Sequence, residues 1–139
     1  MSTLSSAITA GASALDSQRA RMEVAISNLA NAESTRGADG QPYRRREVVL
    51  ESTPGTGAPG AFEATGVRVA AVVEDQAAFR RRFEPSHPDA DENGFVAMPN
   101  VDVPEEMVDM LGAARAYQAN LTAINLIRDT IQRALELGK

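Results

Sequence analysis

Apolar residues recur with a seven-residue period at both ends of this chain, and the period is lost between them. Near the start, Ile8, Leu15, Met22 and Leu29 form one rung of a 3-4 pattern, and Leu4, Gly11, Gln18 and Ala25 form the other. Near the end, Met107, Ala114, Leu121 and Leu135 make one rung, while Met110, Tyr117, Ile124 and Ile131 make the second. The pattern predicts a first helix from Ser2 or Thr3, either able to cap it, to about Asn31, which tolerates the left-handed conformation that ends helices. It predicts a last helix from 102–104 to Leu137, with Asp102 as cap, Glu105 and Glu106 facing the positive helix end, and Gly138 as the stop.

Between the helices the periodicity changes. Stretch 34–41 reads as loop, 44–50 and 67–73 as strands, and a third, weaker strand falls at 79–83 or 95–98. Residues 52–61 are Pro/Gly punctuation. The expected fold class is α+β: long N- and C-terminal helices (1–33 and 102–139) packed as a coiled coil, with a small β-rich insertion (34–101) between them.

Composition sharpens the picture. The chain of 139 residues has no Trp, four Phe and two Tyr, a thin supply for a compact core. Burial must therefore come partly from partners. We expect a subunit interface on Leu4, Ile8, Leu15, Met22, Asn28, Leu29, Asn31, Met107, Met110, Tyr117, Leu121, Ile124, Ile131 and Leu135. A net charge of −5 argues against a nucleic-acid partner. Thirteen of the fourteen basic residues are Arg, the cation suited to bidentate interface pairing. There is no Cys, so disulfides are excluded. No secretory signal and no membrane span are expected.

Candidate chemistry is sparse. Asp89 to Gly94 matches the first half of a calcium loop, but the twelfth position, where a bidentate Glu belongs, is Asn100, so a plain turn is expected. His87 is the only histidine, which leaves no triad or His pair within one subunit. We therefore expect no enzyme, metal, cofactor or small-molecule substrate. The runs Arg44–Arg46 and Arg80–Arg82, placed on strands, would alternate faces and suit pairing between subunits better than one basic groove. The Asn120–Thr122 glycosylation tripeptide falls inside the last helix and reads as chance.

Several stretches resemble the axial proteins of the bacterial flagellum: Asn28-Leu29-Ala30-Asn31, Pro42-Tyr43-Arg44-Arg45-Arg46-Glu47, His87-Pro88-Asp89, Met98-Pro99-Asn100-Val101-Asp102, and Arg115-Ala116-Tyr117-Gln118-Ala119-Asn120. A Thr-Pro step usual after N-L-A-N is absent, Ser34-Thr35 being followed by Arg36. The resemblance implies a non-enzymatic subunit of the proximal rod, exported by the flagellar type III apparatus without a cleaved signal peptide and assembled in the periplasm. Its implied partners are further copies of itself and the rod proteins FlgB, FlgF, FlgG and FliE, through a tubular core of terminal helices. FlgB shares the helices and N-L-A-N, but P-Y-R-R-R-E and M-P-N-V-D favour a different proximal rod protein. A soluble coiled-coil adaptor is the alternative from another class.

Overall fold

The computed structural model describes residues 2–54 and 64–137. The side-chain cap expected at Ser2 or Thr3, residues 55–61 of the punctuating stretch and the Gly138 stop lie outside what is described. The chain runs α1 (Ser2–Ala30), β1 (Arg46–Thr53), β2 (Gly66–Glu74), β3 (Arg80–Phe83), β4 (Phe95–Met98) and α2 (Val103–Leu137). The α+β expectation holds: two long helices pack together with small antiparallel sheets between them in sequence.

α1 ends by a different device from the one expected. No non-glycine residue among those described has positive φ, so Asn31 is not left-handed. Instead the last turn tightens, the Asn31 and Ala32 N–H groups donating to the Asn28 and Leu29 carbonyls at 3.2 and 3.3 Å, and the Asn31 side-chain amide adds a donor to the Ser27 carbonyl at 2.9 Å. α2 starts as expected, the Asp102 carboxylate accepting the Glu105 N–H at 3.2 Å.

The helices lie antiparallel, Asn28 meeting Glu106 near one end and Gly11 lying against Ile124 towards the other. A Cβ added at Gly11 would sit 2.9 Å from Ile124 Cγ1, so the missing side chain is what lets the backbones approach here. On α2 the covered positions include 106, 110, 113, 117, 120, 124, 127 and 131, an unbroken 4-3 alternation, with 109 and 116 half-buried beside it. The rung Met110, Tyr117, Ile124 and Ile131 is therefore in the seam as expected. Its companion is Glu106, Ala113, Asn120 and Ile127, whereas Met107, Ala114, Leu121 and Leu135 lie one position round the helix and are exposed.

β1 and β2 form an antiparallel ribbon, with a register shift between Val49 and Leu50 that places one extra residue, Ala70, in β2. The ribbon lies along α1, and its far end is held where the Val67 N–H donates to Ser13 Oγ at 3.1 Å. The two alternatives for a third strand are both strands, and they pair with each other as β3 and β4, in register Phe83↔Phe95. Those two rings meet edge to face at 5.2 Å. The buried apolar residues among those described are few and mostly small: Ala25, Val96, Met98, Val101 and Ala113.

Candidate functional site

Two features stand out on this frame: a polar knot where the helices meet the ribbon, and an outer helical surface that the chain leaves uncovered. The knot lies at the C-terminal end of α1. Asn28, 1% exposed, is saturated: its Nδ2 donates to the Arg46 carbonyl and to Glu106 Oε2, and its Oδ1 accepts from the Tyr43 hydroxyl and the Arg46 N–H, all at 2.9 Å. Arg45 sits beside it, with Nε donating to Glu106 Oε1, Nη1 to Glu47 Oε1 and Nη2 to Asp109 Oδ2 at 3.5 Å. Asn100 completes the set. Its Oδ1 accepts the Arg45 N–H at 2.8 Å, and its Nδ2 reaches the Asp75 carbonyl at 3.1 Å.

Glu106, which the sequence reading aimed at the positive helix end, is 2% exposed and holds Arg45 and Asn28 instead. A buried carboxylate is tolerated only where it is paired and hydrogen-bonded, and both conditions are met. Burial by itself lowers the proton affinity of the Arg45 guanidinium, but hydrogen bonds to Glu106 and Glu47 outweigh it, and the pKa is raised above the ordinary arginine value. Among the described residues, no buried side-chain nitrogen or oxygen lacks a partner. The knot ties segments around 28, 45, 100 and 106, which lie far apart along the chain, into one fully satisfied network.

Within the chain, residues of both arginine runs find partners. Arg44 stacks on Phe79 with its guanidinium 4.3 Å from the ring centre, Arg80 donates to the Val101 carbonyl, Arg81 pairs with Asp91, and Arg82 pairs with Glu33 and Glu84. They staple loops within the chain. The half-motif 89–94 is a turn closed by Gly94 at φ +79°, in which Asp91 Oδ1 accepts the N–H of Asn93 and of Phe95. Those backbone donors, the Phe95 bond first, lower the pKa of Asp91. His87 accepts the Asp89 N–H on Nδ1 in the same turn. Among the described residues, no group of three or more acidic or histidine side chains is arranged to hold a metal ion. Nor is any described helix long and apolar enough to cross a membrane.

The expected interface residues separate into three groups. Asn28 is consumed by the knot and Asn31 by the helix end. Ile8, Leu15, Met22, Leu29, Met110, Tyr117, Ile124 and Ile131 are half-buried. Leu4, Met107, Leu121 and Leu135 are exposed, and on α2 they are joined by residues absent from the expected interface, among them Val108 (68% exposed), Leu111 (52%) and Leu126 (62%).

A model of the C-terminal region of flagellar basal-body rod proteins of the FlgEFG type matches residues 92–137, the last turn, β4 and α2. Over nearly the whole chain, 49% of positions are identical to the flagellar basal-body rod protein FlgC of Salmonella typhimurium (strain LT2), an alignment that covers 91% of this chain and 92% of that one. The chain belongs to the FlgC family. It is a structural subunit of the flagellar basal-body rod. More distant FlgC proteins agree: that of Bacillus subtilis (strain 168) is 40% identical over 95% of this chain and 96% of its own. The FlgC of Aquifex aeolicus (strain VF5) is 36% identical over the full length of both.

Proposed function

We propose that this rod subunit assembles through the outer faces of its terminal helices, with 1–33 and 102–139 forming a tubular core and 34–101 directed outward. The supporting observation is the division of apolar residues on α2. One rung is covered by α1, while Met107, Val108, Leu111, Leu121 and Leu126 remain exposed on a helix that already has an intramolecular partner. A contiguous exposed apolar stripe on a small protein marks an interaction surface. The half-buried seam residues, including Ile8, Leu15, Met22 and Leu29, add their uncovered sides to it.

In this reading the chain works in the proximal rod, in the periplasm, after export without a cleaved signal peptide. Its neighbours are further copies and the rod proteins FlgB, FlgF, FlgG and FliE, and it catalyses nothing. The test is Leu121→Asp, at a side chain 41% exposed. The free chain should retain its helicity by circular dichroism, since surface substitutions change stability by less than ~0.5 kcal/mol. Incorporation into isolated basal bodies, and with it motility, should be lost because assembly would bury an unpaired charge. Normal incorporation of this variant would overturn the assignment of the α2 surface.

A further inference from the structure

The two helices present unlike outer surfaces. On α1 the exposed positions include Ala12, Asp16, Arg19, Glu23 and Ile26, spaced alternately by four and three residues, so they form one narrow ridge flanked by covered positions. On α2 the exposed surface is broad and partly concave. A groove of about 670 Å³ runs between Leu111 and Leu126, lined by Ala114, Gln118, Ala119, Thr122 and Ala123 and edged by Arg115. Fourteen residues separate Ala12 from Ile26 and fifteen separate Leu111 from Leu126, so ridge and groove are both about 21–23 Å long.

We infer that the α1 ridge of one copy seats in the α2 groove of the next, antiparallel, with Glu23 facing Arg115, Ile26 on Leu111 and Ala12 beneath Leu126. The inference rests on the rod-assembly reading above and gives its apolar surface an occupant, a second copy of this chain. Charge complementarity carries it. Arg115 has no ion-pair or hydrogen-bond partner among the described residues, while Glu23 pairs only with the exposed Arg19 through one oxygen and keeps acceptor capacity free.

Direction follows from stacking. Copies added in one orientation present α1 to a neighbour's α2 antiparallel, as within a single chain, and in that direction positions whose numbers sum to about 138 face each other. The alternative direction brings Asp16 to Arg115, but it inverts each copy relative to the one before, so successive subunits would not share one polarity. Ridge and groove being different surfaces, the antiparallel contact is heterologous and leaves one of each free for the next subunit.

The chain has no Cys, so introduced thiols are the only ones it carries. Full-length chain carrying both Glu23→Cys and Arg115→Cys, made in cells lacking the original copy, should give a ladder of disulfide-linked oligomers when isolated basal bodies are oxidised. The pair Asp16→Cys with Arg115→Cys should give none. A ladder from 16/115, no ladder from 23/115, or linkage only to other rod proteins would overturn the inference. An immunoblot of the same basal bodies keeps the two readings apart: absence of an unsubstituted control chain defeats rod assembly, whereas presence without the 23/115 ladder defeats only this contact. Charge reversal gives a second readout. Arg115→Glu should reduce incorporation at least tenfold, and adding Glu23→Arg should recover it; normal incorporation of Arg115→Glu alone counts against the pairing.

Discussion

The end of the helix pair near Asn28 and Glu106 and the far end beyond Gly11 and Ile124 are held by different physics. At the first, a few polar side chains saturate one another, and every bond is made within the chain. At the second, half-buried aliphatic residues meet along one narrow seam. The knot itself is finished in the single subunit and has little left to offer a partner, although Met107, Val108 and Leu111 lie exposed on the outer side of α2 beside it. The second carries apolar surface that a solitary chain leaves wet, so assembly is expected to act on the outer helical faces and not on the knot.

The sharpest way to break this contrast is Glu106→Ala, which leaves the buried Arg45 Nε–H and one Asn28 N–H without an acceptor while Glu47 and Asp109 still face the guanidinium. Each buried donor stranded in this way costs about 1–3 kcal/mol, and the combined loss should appear as a lowered urea midpoint. A loss under ~1 kcal/mol would mean that the knot is wetter than its geometry indicates. At the other end, Gly11→Val places a side chain where Ile124 already sits, and overpacking should cost about 1–3 kcal/mol by the same measurement. The penalty is smaller because the Ile124 side chain can shift, whereas the donors stranded at Glu106 stay buried.

The smallest effect separates the knot from the β3–β4 turn. Asp91 has its pKa lowered in the folded state, so its contribution is present above the unfolded-state value and is lost as pH falls through the lower folded one. Hydrogen exchange at the Asn93 and Phe95 amides should therefore lose protection, relative to intrinsic rates, below the ordinary aspartate range. Protection that is unchanged there would show that the turn does not depend on the carboxylate.

Much of this fold could be read from periodicity, and the place where periodicity misled is instructive. Apolar Met107, Ala114 and Leu121 imitate a seam rung one position away from the real one, which is occupied by Glu106, Ala113, Asn120 and Ile127. A rung that includes a carboxylate and an amide is invisible to a search for hydrophobic residues, because burial there is made tolerable by partners remote in sequence. Arg45 supplies that tolerance at Glu106 directly, Tyr43 through Asn28 and Asn100 through Arg45, and nothing in local spacing announces it. The same stretches were nevertheless the ones that carried the resemblance to flagellar axial proteins. The arginine runs went the other way: their charge was obvious, but the partners they find within the chain are set by loop geometry.

The amide of Asn28 grips the ribbon backbone at Arg46 and the carboxylate on α2 at the same time. Torque on the strands, if they face outward as proposed, would therefore reach both helices through Asn28 and the neighbouring Arg45, which leaves the ribbon no independent hinge there about which to swivel. In a rotating axle such a joint turns the outer segment with the core instead of letting it lag, and softening it would introduce backlash before it caused unfolding.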